Sequence, residues 1–161
     1  MKNYPLLLIT GFLLAFIACD NGTTYEELKS IKPVSERVYD LHKTMDEIKT
    51  FEEKAALFRE ENYYLEYEYP IGENESYVVA YRFNETGCFE IKLTAYLKDE
   101  DEAQKIVSKV TSNLKSSTNI TSTTVVTDHY KWNTANNDAT LDMDIQNIER
   151  GIVSLTIIPG K

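Results

Sequence analysis

The side chains best suited to acid–base chemistry in this sequence are two histidines and two pairs of carboxylates. His129 stands between Asp128 and Tyr130. A general base needs a partner that holds it and a nucleophile at which it is aimed. The nucleophiles near His129 in sequence are hydroxyls alone, chiefly those of the Ser/Thr-rich stretch before it, so no catalytic role follows for it. His42 lies beside Leu41 in an amphipathic stretch and reads as a surface residue. Glu66 and Glu68, and likewise Asp142 and Asp144, are two residues apart. On a strand each pair shares one face at about 7 Å, a spacing that suits inverting glycoside hydrolysis. Acids alternating with apolar residues are also the ordinary dress of a wet sheet face, and that reading is preferred. "NNDATLDMD", residues 136–144, offers oxygen ligands of the kind calcium takes but lacks the spacing of an EF-hand loop. There is no GxSxG, HExxH, GxGxxG or P-loop lysine. No catalytic residue, metal ligand or cofactor is assigned, and the expectation is a protein that is not an enzyme.

The elements that would carry these groups follow from hydrophobic periodicity. Val34, Val38, Leu41, Met45 and Ile48 fall on one helical face. The stripe then shifts to Phe51, Ala55 and Phe58, and Thr50 with Glu53 has the form of a capping box. This predicts a helix with a restart near Thr50, running to about Glu61. Residues 25–32 predict a further turn or two of helix capped by Thr24. From Tyr63 the period becomes two. Tyr63, Leu65, Tyr67 and Tyr69, then Tyr77, Val79, Tyr81 and Phe83, then Phe89, Ile91, Leu93, Ala95 and Leu97 mark the core side of three antiparallel strands. Cys88 is out of phase with this last set and is placed at the strand start, away from the core or under a neighbouring element. "KDEDEAQKIVSKVTSNLKSS" is a helix capped by Asp99, with Ala103, Ile106, Val107, Val110 and Leu114 buried. Residues 116–124 read as a loop. Three more strands follow: Val126 to Trp132, Thr140 to Ile145, and Val153 to Ile157. The expected class is α+β, with an N-terminal helix or helices and then an antiparallel sheet in the order βββ-α-βββ. "NETGCFEIKLTAY" and "NIERGIVSLTII" share a polar turn, a glycine and an alternating strand, a weak internal echo.

Tyrosine is the compositional oddity: of 11 in the chain, seven lie between Tyr63 and Tyr96, most of those seven at inward positions of the first three strands. Tyr64 and Tyr96 are out of phase with the apolar faces. With Trp132, which closes its strand, they are the expected binding surface, because aromatic side chains offer rigid contact area with a polar tip.

The N-terminus carries the address. Leu6 to Ala18 holds no charge and is dominated by Leu, Ile, Phe and Ala, following a start made positive by Lys2. It is shorter than the roughly 20 apolar residues that span a bilayer and fits the apolar core of a secretory signal. Phe16-Ile17-Ala18-Cys19 resembles the lipobox of bacterial lipoproteins, in the looser form of those from Bacteroidota. The resemblance implies cleavage after Ala18 and a diacylglyceryl thioether on Cys19, often with an added N-acyl chain such as palmitate. Two or more acyl chains anchor stably where one does not. The expected organisation is a signal peptide over residues 1–18, the lipidated Cys19 and a short tether over residues 19–24, and one α+β domain over residues 25–161. The expected location is the cell envelope, anchored by lipid, with the outer membrane as the first choice and the leaflet open.

Charge and cysteine use agree with this. The net charge is −9, from 26 Asp and Glu against 17 Lys and Arg, and loss of Lys2 makes the mature chain more acidic still. Such a surface repels nucleic acid and anionic lipid. With Cys19 lipidated, Cys88 has no partner for a disulfide, and no CxxC or Cys/His cluster suggests zinc. The function expected is a lipid-anchored binding or accessory module for an unidentified protein or glycan. An immunity-type inhibitor of a basic toxin is the alternative, and a small carboxylate hydrolase stands behind both.

Overall fold

A computed structural model describes residues 32–117 and 119–160. The signal segment, Ala18, Cys19, the tether and, except for Lys32, the helical turns expected over residues 25–32 lie outside the described residues; Lys32 itself is not helical. Among those described, no helix is long and apolar enough to cross a membrane.

The class is α+β. Two short helices, α1 (Val34–Arg37) and α2 (Met45–Phe51), precede four strands: β1 (Leu57–Glu61), β2 (Tyr64–Gly72), β3 (Glu75–Asn84) and β4 (Gly87–Tyr96). A long helix, α3 (Glu100–Ser116), leads to four more: β5 (Ile120–Val126), β6 (His129–Thr134), β7 (Ala139–Asp144) and β8 (Ile152–Pro159). The eight strands form one sheet in the order β1-β2-β3-β4-β8-β7-β6-β5, antiparallel throughout. The helices pack on one face. The chain therefore runs ββββ-α-ββββ, and the expected βββ-α-βββ is corrected by one strand on each side.

Both added strands have a physical cause. The stretch expected to be helical up to Glu61 instead forms β1, which pairs with β2 from Leu57↔Tyr67 to Glu61↔Tyr64. Phe51, Ala55 and Phe58, the apparent helix stripe, are all exposed. Helix α2 stops at Phe51 because Glu52 turns extended and buries its carboxylate beneath the sheet. The Thr-rich stretch expected as a loop forms β5, joined to β6 by a tight turn at Thr127 and Asp128. β-Branched residues fit a pleated surface even when polar.

The long first helix is also broken. After α1 and a 3₁₀ turn (Val38–Asp40), His42 takes φ +66°. Its N–H then donates to Cys88 O at 2.7 Å, and Lys43 O accepts from Cys88 N at 2.8 Å. The restart falls at Thr44, where Thr44 and Glu47 make the capping box, and not at Thr50. By contrast α3 follows its sequence closely. Asp99 accepts from Glu102 N, and Ala103, Ile106, Val107, Val110 and Leu114 are all buried.

The two halves share a plan. Each is a helical segment, α1 and α2 in the first half and α3 in the second, followed by a four-strand meander, and the last strands, β4 and β8, pair at the centre through Ile91↔Ile157, Leu93↔Leu155 and Ala95↔Val153. A glycine of positive φ stands at the entrance of each, Gly87 at +106° as the first residue of β4 and Gly151 at +71° immediately before β8. A Cβ at Gly87 would strike His42 O, and one at Gly151 would strike Leu97 O. In both halves the backbone leading into the helix therefore lies against the glycine at the entrance of the central strand. The weak echo in sequence is this shared structural position.

The core-side alternation holds in β2 from Leu65 onward, in β3, β7 and β8, and in most of β4; Tyr63, expected on the core side, falls in the turn between β1 and β2 and is 62% exposed. It fails at the start of β4. Arg82 pairs with Glu90 but Phe83 pairs with Cys88, so a bulge at Phe89 inserts one extra residue. Cys88 is thereby turned to the core side and fully buried, with residues 42 and 43 bonded to its backbone, so of its two expected placements the one away from the core is corrected; Phe89, expected on the core side, is displaced from it. Ile91, Leu93 and Ala95 keep their places because they lie beyond the bulge.

Candidate functional site

Helices occupy one face of the sheet, so the residues that alternate out of the core line the other. Their register builds a continuous surface. One row runs Arg59, Glu66, Ala80, Lys92, Thr156, Asp142, Lys131 across seven strands, and a second runs Glu68, Val78, Thr94, Ser154, Asp144, His129. The centre is made of small side chains and hydroxyls, with Thr94 and Ser154 oxygens 3.3 Å apart. Charges flank them. At the β2 end, Tyr64 donates to Glu66 and lies 5.5 Å beneath the Arg59 guanidinium, and Arg82 pairs with Glu90 at 3.0 Å. Burial, with the Glu66 carboxylate beside it, pushes the Tyr64 phenol up to about 12, so it stays a neutral donor. At the β6 end, Asp142 holds His129 Nδ1 at 3.0 Å and Lys131 at 3.2 Å.

A polar cluster beneath the sheet holds the other side of this face in place. Arg37 is fully buried and donates to Glu52 at 2.7 Å; Glu52 also accepts from the hydroxyls of Tyr69 and Tyr81. Burial opposes ionisation of Glu52, but the Arg37 charge and the two tyrosine bonds outweigh it and leave the carboxyl below its ordinary value. Burial and the Glu52 charge raise Tyr69 and Tyr81, so both remain protonated donors. Arg37 Nε and Nη2 are buried without a hydrogen-bond partner among the described residues. The tyrosine excess is thus core chemistry: Tyr67, Tyr69, Tyr77 and Tyr81 are buried, and two of them serve one carboxylate.

Of the three aromatic residues expected at a binding surface, two are on this face. Tyr64 is half-buried and Tyr96 is 44% exposed. They pair with Arg82 and Ser76 of the same strand, six residues apart and so about 20 Å from each other. They mark opposite margins of the face and do not form one patch. Trp132 is corrected: it is fully buried on the core side, stacked on Tyr130 at 5.9 Å between ring centres. The tight turn before β6 sets its phase, placing Tyr130, Trp132 and Thr134 inward. Its Nε1 has no partner among the described residues. Cys19 and Ala18 lie outside the described residues.

The acid–base groups are now located. His129 has a carboxylate partner, but the nearest hydroxyl along its row, Ser154, is two strands away, about 10 Å between backbones. That separation does not let the imidazole reach the hydroxyl. Glu66 is bonded by Tyr64, and Asp144 accepts from the backbone N–H of Gln146. Among the described residues, no three His, Cys, Asp or Glu side chains converge as a metal site requires. Sequence reasoning missed the Thr94–Ser154 centre and the basic residues Arg59, Arg82 and Lys92 around it. The signal was present in the out-of-phase positions of the alternation. It also missed the Arg37–Glu52 pair, for which distant residues give no periodic signal.

Comparison with protein families, with curated proteins and with solved structures finds no match to this chain.

Proposed function

We propose that the chain is a lipoprotein of the cell envelope, anchored by lipid on Cys19 to the outer membrane, and that it acts without catalysis as a binding or accessory module for a protein or a glycan. The observation that supports a binding role is the uncovered sheet face. Among the described residues, the eight-stranded sheet carries helices on one side alone, and its other side is a broad, ordered, polar surface with a small-residue centre. Side chains held by a sheet are costly to rearrange and so lose little entropy on binding. The lipid anchor rests on the residues Phe16 to Cys19 and on the short uncharged run before them.

The alternative partner, a basic toxin, fits the overall charge less well once the face is mapped. Glu66, Glu68, Glu90, Asp142 and Asp144 are interleaved there with Arg59, Arg82, Lys92 and Lys131. The acidic excess sits elsewhere, at the first turn of α3 (Glu100, Asp101, Glu102) and in turns such as Glu73 and Glu85. A face of mixed charge selects a partner of mixed charge or a neutral glycan.

Two measurements test this. Feeding cells an alkyne-tagged palmitate should label the chain, and Cys19→Ala should lose the label and the membrane fraction; continued labelling of that variant removes the anchor. A photo-cross-linker at Lys92 or Thr156 should capture an envelope component that one at Lys105 on α3 does not. Equal capture from both positions, or none, removes the face.

A further inference from the structure

The sheet has two edges, and they are built differently. β1 carries Arg59, Glu60 and Glu61, with Glu60 tied to Lys49 and Arg59 to Glu61. Charged side chains of this kind are the usual guard against edge-to-edge pairing. β5, "ITSTTVV", has no charge, no proline and no glycine across its seven residues. Val125 is 63% exposed and Val126 is 54% exposed. Among the described residues, the only ladder on β5 is with β6, and no loop bonds to the backbone of residues 121–126.

The hairpin geometry says which backbone groups are open. Val126 and His129 close the two-residue turn. In an antiparallel pair, residues alternate between exchanging both backbone bonds with the partner and pointing both away. Counting back from the closing pair, residues 126, 124 and 122 bond to β6, and residues 125 and 123 present N–H and C=O outward. The register shift of β5 lies between Ile120 and Ser122, outside this stretch.

We infer that β5 is a self-pairing edge and that its occupant is β5 of a second copy of this chain, antiparallel about a twofold axis at Thr124. Twofold pairing brings the same patch together twice, so the patch must be complementary to itself. This stretch is. About Thr124, Val125 of one copy faces residue 123 of the other, and their outward backbone groups bond in both directions. Val126 faces residue 122, and Thr124 faces its own counterpart. Charge selects this edge too: two chains of net charge −9 repel over most of their surfaces, and β5 is the neutral edge. The contact is small, so the dimer is weak in dilute solution. It strengthens when both copies are confined to one membrane, a step that rests on the proposed lipid anchor.

Thr124→Cys tests the register directly. On the twofold axis the two Cα atoms sit opposite each other in a pair without mutual backbone bonds, about 4.5 Å apart, within disulfide range. Full-length Thr124→Cys under mild oxidation should form a disulfide-linked dimer about tenfold or more faster than Glu60→Cys on the guarded edge, with the parent chain setting the background from Cys19 and Cys88. Adding Val125→Lys should return the rate to background. The comparison is made in detergent at high protein concentration, so loss of the lipid alone does not abolish it. Equal rates for the two edges, or no effect of Val125→Lys, overturn the inference. Cross-linking of Thr124→Cys to a different protein in preference to itself also overturns it, by assigning the edge to a foreign strand.

Discussion

Glu52 is the residue on which the helical layer is fixed to the sheet. Its carboxylate binds one cation and two phenols in a site from which water is largely excluded. Removing one member of a buried ion pair leaves the other charged and alone, which costs about 3–5 kcal/mol. Glu52→Gln should therefore destabilise by that amount in a denaturant melt, and Tyr81→Phe by about 1–3 kcal/mol, the cost of buried groups losing a bond. The folded carboxyl titrates below its ordinary value of 4.5. Its contribution is thus complete above that pH and is lost as pH falls through the folded value. Stability of the parent chain should fall on acidification below about 4.5, and Glu52→Gln should flatten that part of the profile; an unchanged slope would remove Glu52 as its source. Cys88 makes a second residue-scale case. Burial pushes its thiol up to about 12, against a weak bond to Glu90 O at 3.6 Å. It should resist alkylation in the native state and react on unfolding. Cys88→Ser should cost about 1–3 kcal/mol, because it places a hydroxyl in an apolar site.

At the scale of elements, the legible parts were those with an unbroken period. Helix α3 could be read residue by residue because one amphipathic stripe, one cap and one charged first turn all agree. The alternation of β2, β3, β7 and β8 was equally plain. What failed had a cause that local pattern does not carry. Residues 57–61 have helix-compatible spacing, and only pairing with β2 makes them a strand. The bulge at Phe89 inverts Cys88 while sparing Ile91, and no composition announces it. The tight turn at Thr127 and Asp128 resets the phase of β6 and buries Trp132. The candidate face was half legible: its residues were visible as the polar phase of each strand, but their order across the sheet required the β4–β8 pairing. The two glycines test the shared plan of the halves. At Gly87 and Gly151 both the positive φ and a neighbouring carbonyl reject a Cβ. Gly87→Ala and Gly151→Ala should each cost more than about 1 kcal/mol, whereas Gly72→Ala, which meets only the Glu75 side chain, should cost less. A cheap Gly151→Ala in thermal melts would mean that the segment at Leu97 is free to move away.

At the scale of the whole molecule, the question is whether two similar halves make two folding units or one. Each half has its own helix and meander, so independent folding is conceivable from the topology alone. The packing argues otherwise. The β4–β8 ladder puts the boundary between halves in the middle of the sheet, with Ile91, Leu93, Ala95, Val153, Leu155 and Ile157 all buried around it. Either half alone would expose that row and the six-residue stretch of edge backbone that the other half now pairs, the arrangement that invites aggregation. The halves should therefore unfold together. The single tryptophan, Trp132, reports on the second half, and alkylation of Cys88, read by peptide mapping, reports on the first. In a denaturant titration the two signals should share one midpoint and one slope, as a two-state transition requires. Leu155→Ala, about 2–5 kcal/mol destabilising for a buried leucine, should move both midpoints by the same amount although it lies in one half. If the Trp132 signal shifts and the Cys88 signal stays, the sheet is two units in contact. The open face that spans both halves would then lose the rigidity on which its proposed binding role depends.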